Sequence, residues 1–350
     1  MAEPHEAAER SGVLCVGSIV VDVAKVIDVY PEQERLARID AVETSTGGPA
    51  LNLAVDLARL GAPFSLDVIG VIGDDAHGEY VLEALAADGI GVTGIRRAEG
   101  VATSFTDAMV VRDGGSRTFF HHVGANALLA PTDVDLANSQ ARILHMGAPG
   151  LHDAMDAAWQ GPRGGNAWAA TLCAAQAAGM RTNLELVSLP AHEIRAHALP
   201  CLPHLDYLVV NELEASALAG VEVTPVGADA SPDWVRLEQV ALSLVDAGVA
   251  RLVAVHLPSG CVAAAPGGLT WRQGSVRVPR SELRNATGAG DAFASGVVFG
   301  LHEGWPVPDC LRAGVCAAAA SLRGAGTSDG VLPLASCREL GTRYGYRPTL

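Results

Sequence analysis

At 350 residues, with 49% hydrophobic and only 18% charged positions, the chain can bury a large sheet and is not of the disordered class. Its net charge of −15 excludes a surface built for indiscriminate phosphate-backbone binding, so nucleic acid is not an expected partner. Lys25 is the single lysine and no Gly-rich Walker motif precedes it, which excludes a P-loop and leaves any anion to arginines or backbone N–H groups. The seven cysteines are scattered without a C-x-x-C pair, so neither a zinc ribbon nor a redox motif is supported. The N-terminal stretch lacks an apolar signal-like region, and no apolar run approaches the roughly 18 residues of a membrane span. The expectation is a cytoplasmic protein with reduced thiols and no membrane partner.

After a tail over residues 1–12, VLCVGSIVV (Val13–Val21) is a nearly continuous apolar run that predicts a strand covered on both faces. Residues 24–46 alternate more weakly around a polar Pro31–Arg35 turn and predict exposed strands outside the core sheet. Gly47-Gly48 ends that segment. Leu53, Leu57 and Leu60 then fall at helical spacing from Pro49 to a stop at Gly61. LDVIGVIG reads as a strand, and Asp75 caps a helix running through Asp88. A second exposed pair, Ala102–Val111 and Arg117–Val123, is joined by the hairpin signal Asp113-Gly114-Gly115.

Beyond it, strand patterns (ARILHMG, MRTNLELV, LDYLVV) alternate with helices over Asn166–Ala178 and from Glu212, which argues for a parallel sheet with helices on both faces. RLVAVHL, CVAAA and LTWRQGSVRV add strands, and three helices follow from Ala289. No repeat or low-complexity linker divides the chain. The expected architecture is one α/β domain over residues 13–350 carrying a small β-sheet lid built from inserts at about 24–46 and 101–123.

The segment Asn285-Ala286-Thr287-Gly288-Ala289-Gly290-Asp291 stands immediately before an apolar helix. Small residues let backbone approach a ligand, and free N–H groups at a helix start stabilise anionic oxygens, so Gly288, Ala289 and Gly290 form a candidate anion hole without lysine. Asp291 in the first helical turn is placed to accept a proton from a hydroxyl attacking phosphorus. The same residues also suit an ordinary turn and helix-start acid. Asn211 and Glu214 in Asn211-Glu212-Leu213-Glu214 equally suit a capping box.

This segment resembles the D-x-x-G-A-G-D signature of the ribokinase or pfkB-type carbohydrate kinase family. Three further elements of that family occur in the right order. They are Gly47-Gly48 with Asn52 and a helix ending Leu57-Ala58-Arg59-Leu60-Gly61, a partial G-x-x-G-x-D-x-x-G at Gly70–Gly78, and N-x-x-E at Asn211–Glu214. The resemblance implies a ribokinase-like three-layer αβα sandwich with a mainly parallel central sheet and a β lid. It implies transfer of the γ-phosphoryl group of ATP to a sugar or polyol hydroxyl, with Asp291 as base, Gly288–Gly290 as anion hole, and Asn211 and Glu214 ordering phosphates and Mg²⁺ through water. Asp22, read as closing the first strand, matches the family's sugar-binding acid, with Gly48 and Asn52 beside it. Thr103 is taken as a further substrate contact from the lid strand, with Ser104 and Asp107 as neighbouring candidates. The family commonly dimerises through the lid, so a homodimer is expected.

Several positions depart from the family pattern. Asn285 replaces the usual Asp of the monovalent-cation loop, so the resemblance does not carry potassium activation over to this chain. The nucleotide loop, Val255–Gly260, keeps Gly260 but has Leu257 where a glycine is usual. Pro49 stands in place of a lysine, and residues 145–149 hold no acid, so ribose specificity is not supported. His121-His122 point to opposite strand faces and do not suit one metal ion; His145 is read as a hydrogen-bonded structural histidine. A nucleoside kinase of the same family and a catalytically weak sugar sensor are the competing readings. A Rossmann oxidoreductase fails for want of G-x-G-x-x-G after the first strand.

Overall fold

The computed structural model describes residues 10–112, 117–159, 165–225 and 227–349, so the Asp113–Gly115 hairpin turn lies outside the described residues. In chain order the elements begin β1 (Val13–Gly17), β2 (Val20–Ile27), β3 (Ile39–Gly47), α1 (Pro49–Arg59), β4 (Leu66–Gly73), α2 (Ala76–Ala87), β5 (Gly91–Ala98), β6 (Phe105–Val111) and β7 (Arg117–His122). There follow β8 (Ile143–Gly147), α3 (Asp153–Asp156), α4 (Ala167–Ala177), β9 (Arg181–Leu184), α5 (Ala191–Ala198), β10 (Tyr207–Asn211), α6 (Glu212–Ala219) and α7 (Trp234–Asp246). The chain ends with β11 (Leu252–Leu257), β12 (Gly260–Ala265), β13 (Leu269–Gly274), α8 (Ala289–His302), α9 (Val307–Ser321) and α10 (Leu334–Tyr344).

Nine strands form the larger sheet in the order β13-β12-β11-β10-β9-β8-β1-β4-β5. It is parallel except where β12 pairs antiparallel with β11 and with β13. Alternate residues of β1 serve opposite faces: Val13 and Cys15 pack with α1, α2, α8, α9 and α10, while Leu14 and Val16 pack with α4, α5, α6 and α7. This two-sided burial explains the continuous apolar run, and the result is the three-layer αβα arrangement that the resemblance implies. Fully buried Leu53 and Leu57 anchor α1, each contributing about 2 kcal/mol of burial.

The smaller sheet has the order β3-β2-β6-β7, with β2 and β6 parallel and both outer pairs antiparallel. The single strand expected over Val13–Val21 is in fact two. Gly17 has φ +139°, a Cβ there would overlap the Gly147 carbonyl, and the Ser18 N–H donates to that carbonyl at 2.6 Å. The chain therefore leaves the larger sheet at Ser18 and enters the smaller one at Val20. Asp22 consequently lies inside β2, not at the end of the first core strand. Residues 10–12 are tied to the body of the fold, because Arg10 donates to the Ser139 and Ala141 carbonyls at 2.9 and 3.1 Å, and the Gly12 N–H donates to His302 Nε2 at 2.8 Å. Strand β5 and helices α3, α5 and α7 have no counterpart in the sequence reading.

Helices α8 and α9 approach closely at Gly296, where an added Cβ would stand 2.7 Å from the Ala313 carbonyl. Gly296→Ala should therefore lower stability by about 1–3 kcal/mol, read as a fall in Tm. A Tm equal to that of the unaltered protein would contradict the tight α8–α9 contact.

Candidate active site

The N-terminus of α8 is the centre of the site. Gly288 caps the helix with φ +81°, and any Cβ there would run into the Thr327 backbone, so only glycine suits the position. The first N–H groups of the helix lack intrahelical acceptors and carry the positive end of its dipole. The preceding loop is pinned, with the Thr287 N–H donating to Asn285 Oδ1 at 2.9 Å and Asn285 Nδ2 to the Ala325 carbonyl at 2.6 Å. Arg117, on β7 of the smaller sheet, donates to Thr287 Oγ1 and so brings a guanidinium to the same loop. On the other side, His256 of β11 packs against Gly290.

Asp291 sits in the first turn of α8, where its Oδ2 accepts a hydrogen bond from Asn52 Nδ2 at 2.7 Å. Asn52 is buried in the first turn of α1, whose N-cap, Gly48, has φ +91° and no room for a Cβ beside the Ser18 carbonyl. Glu185, which follows β9, also meets the Asp291 carboxyl group. Burial first, and then repulsion from Asp291, raises the Glu185 carboxyl well above the usual range. Glu185 escaped the sequence reading because nothing local marks it.

Asp22 enters from the smaller sheet. Its carboxyl group lies where a Cβ on Gly47 would be, 2.6 Å from that position, so the first glycine of the pair makes room for the acid. Ser45, Asp22, Thr106 and His121 are cross-strand neighbours on one face of the four-stranded sheet. Thr106 hydrogen-bonds both Asp22 and, at 3.0 Å, His121 Nδ1. Thr103 does not join this row. It is fully buried, and its hydroxyl accepts from the Gly73 N–H at 2.8 Å and donates to Asp75 at 2.6 Å, so it is a structural tie rather than a substrate contact. Ser104 donates to the His122 carbonyl at 2.9 Å, and Asp107 pairs with Lys25 at 2.6 Å. Pairing parity along β2 and β6 would have pointed to Thr106 once the register was known.

On the opposite side, Asn211 and Glu214 form a capping box at the start of α6. Asn211 Oδ1 accepts the Leu213 and Glu214 N–H groups at 3.0 and 2.8 Å, and Glu214 Oε2 accepts the Asn211 N–H at 3.0 Å. Burial raises Glu214 to about 7, with Asp291 among the charges that add to the shift. Among the described residues no three His, Cys, Asp or Glu side chains converge as a direct metal cage. A carboxylate and amide used this way suit a hard cation that keeps its waters. Gly260 begins β12 after a two-residue turn, and a Cβ there would overlap the Gln273 carbonyl, so its glycine character serves the hairpin. Leu257 turns into the core, whereas His256, opposite Asn211 in register, faces the anion loop. Burial lowers His256 to about 4, which keeps it neutral. His145 accepts from Asn183 Nδ2 at 2.8 Å and is held neutral by burial, as a structural histidine would be.

The model of the pfkB family of carbohydrate kinases matches residues 10–334. The chain belongs to that family and is a carbohydrate kinase, a phosphotransferase with a sugar hydroxyl as acceptor. It is 24% identical to a deoxyribokinase of Salmonella typhi over 320 residues, covering 89% of this chain and 92% of that protein. It is 28% identical to a probable fructokinase-7 of Arabidopsis thaliana over 297 residues, covering 83% and 78%. A structure of Arabidopsis thaliana ribokinase complexed with ribose and ATP superposes with a TM-score of 0.75 at 23% identity, covering 95% of this chain and 98% of that one, and shows the shared fold. No helix among the described residues is long and apolar enough to cross a membrane.

Burial raises Asp22 to about 7, with the nearby Asp291 adding to the shift and the Thr106 hydrogen bond opposing it. A carboxyl group whose pKa is higher in the folded state favours folding most at low pH, and that advantage is lost as pH rises through about 7. Asp22→Asn lacks this dependence. Its stability relative to the unaltered protein should rise by on the order of 2 kcal/mol between about pH 4 and about pH 8. An equal difference at both pH values in denaturant titrations would contradict the buried, proton-binding Asp22.

Proposed function

We propose that the chain transfers the γ-phosphoryl group of ATP to a hydroxyl of an uncharged carbohydrate or polyol, with Asp291 as the general base. The observation that carries this reading is the Asn52 to Asp291 hydrogen bond at the start of α8, which joins a hydroxyl-binding amide and a base at the N-terminus of a helix. Asp22 and Asn52 hold vicinal hydroxyls of the acceptor, and the acid-rich wall disfavours an anionic one. As the acceptor oxygen bonds to phosphorus, its proton passes to Asp291 and the bond to the ADP oxygen breaks. Developing charge on the transferred group meets the N–H groups of Gly288, Ala289 and Gly290, with Arg117 as the nearby cation.

Asn211 and Glu214 order the nucleotide's phosphates. Glu214 would hold Mg²⁺ through water, and the bound ion would neutralise phosphate charge. Gly260 shapes the hairpin beside the nucleotide. Residues 13–350 act as one kinase domain in which the smaller sheet is a lid that excludes water from the transfer. Asn285 is a neutral amide engaged with Ala325 and Thr287, which supports a reaction independent of potassium. The site of action is the cytoplasm.

An ATP-consumption screen over pentoses, hexoses, inositols, sugar phosphates and nucleosides tests this. Turnover is expected with a neutral sugar or polyol, equal in Na⁺ and K⁺, and reduced about 10³-fold in Asp291→Asn. Full turnover by Asp291→Asn would remove the base. Turnover with nucleosides alone would select the nucleoside-kinase reading, and acceptor binding without turnover would select the sensor.

The lid also provides a dimer surface. Ile39 and Val42 on β3 and Phe119 and Phe120 on β7 are each about half exposed. Pairing two such sheets across a twofold axis covers both the apolar side chains and the free strand edges. Light scattering at micromolar concentration should give a homodimer, and Phe119→Glu with Phe120→Glu should give monomers. A monomeric unaltered chain would contradict this assembly.

A further inference from the structure

We propose that His121 is a specificity-determining contact of the acceptor, its ring Nε2 hydrogen-bonding a hydroxyl remote from those held by Asp22 and Asn52. The proposal deepens the reading of the chain as a kinase of neutral carbohydrates or polyols and rests on it. Its starting point is strand parity. Arg117 and His121 are four residues apart on β7, so their side chains leave the same face of the smaller sheet. Arg117 donates to Thr287 in the loop before α8, so that face looks onto the start of α8. Thr106 stands directly opposite His121, and Asp22 directly opposite Thr106, which carries the same face across three strands. The Asp22 carboxyl group lies against Gly47, at the entry to α1. Both ends of the face, Arg117 and Asp22, therefore border the space between the starts of α1 and α8. His121 looks into that space.

The neighbouring histidine serves the other face. The His122 ring packs against Phe105 with centroids 5.2 Å apart, and Phe105 packs against His77 of α2 at 5.6 Å. His122 is thereby engaged on the α2 side, whereas His121 is exposed toward the site. One contact orients the His121 ring: Nδ1 and Thr106 Oγ1 are 3.0 Å apart. Among the described residues no further hydrogen bond engages the ring, so Nε2 is available to a ligand. A hydroxyl group both donates and accepts, so Nε2 can hold one in either ring tautomer.

Asp22 on β2 and His121 on β7 are separated by β6, so their backbones are two strand spacings apart, about 10 Å. The hydroxyl at His121 is therefore not one of the vicinal pair at Asp22 and Asn52. Contacts placed on two sides of the acceptor measure its length as well as its polarity. The acceptor class is a neutral sugar or cyclitol with a further hydroxyl beyond the vicinal pair.

The test pairs residue changes with hydroxyl removals. Values of kcat/KM are measured for D-ribose, D-fructose, D-glucose and myo-inositol, and for the monodeoxy analogues of the best of them, in the unaltered protein, His121→Phe and Asp22→Asn. His121→Phe keeps a planar ring and removes Nε2. Removing one particular hydroxyl should lower kcat/KM about 10-fold in the unaltered protein and have no further effect in His121→Phe. The hydroxyl coupled to Asp22 should be a different one. In nitrogen NMR spectra, the His121 ring resonances, assigned by their loss in His121→Phe, should shift on adding one of the four compounds without ATP. This second readout needs no turnover. Deoxy penalties equal in the unaltered protein and His121→Phe at every position, or ring resonances unmoved by all four compounds, would overturn the proposal. A shift without turnover of any compound would keep the contact and remove the phosphoryl-transfer reading instead.

Discussion

The hydrogen bond from Asn52 to Asp291 ties the first turn of α1 to the first turn of α8, and the remaining site is arranged around it. Two helix starts thus face one another, each preceded by a glycine in a conformation that other residues resist, Gly48 and Gly288. Their dipoles point positive ends into the same space, which is where a base carboxylate and phosphate oxygens are both stabilised. A chain with one lysine and a net charge of −15 can hold a polyanion this way, because the charge complement comes from backbone and from Arg117.

The opposite tendency is the accumulation of acids. Asp22, Asp56, Glu185 and Glu214 are all shifted upward by burial, and the nearby Asp291 adds to each shift. Several unpaired carboxylates cannot be buried together in charged form. Burial thus favours the protonated form of these four carboxyl groups. A neutral, hydroxyl-rich acceptor suits such a wall, since each acid can accept or donate a hydrogen bond to it according to its protonation.

Much of this was legible in the sequence where the signal is local. The glycines before α8, the cap of α6 and the Gly47-Gly48 entry to α1 are defined within a few residues, and each lies where its pattern indicated. The α/β alternation likewise follows from two-sided burial along strands such as β1. What depends on distant chain was not legible. The break after Gly17 comes from the approach of Gly147, invisible in an apolar run that continues unbroken to Val21. Thr103 and Thr106 look equivalent until strand register puts Thr106 beside Asp22 and the Asp75 cap claims Thr103. Glu185, Arg117 and His256 reach the site only through the order of strands in the two sheets.

The most direct test of the account is a structure of the protein with a non-hydrolysable ATP analogue and the acceptor identified by turnover. The account predicts the acceptor oxygen in hydrogen-bonding reach of Asp291 and the terminal phosphate on the N–H groups of Gly288–Gly290. An acceptor bound away from Asp291, or a terminal phosphate held elsewhere, would contradict it.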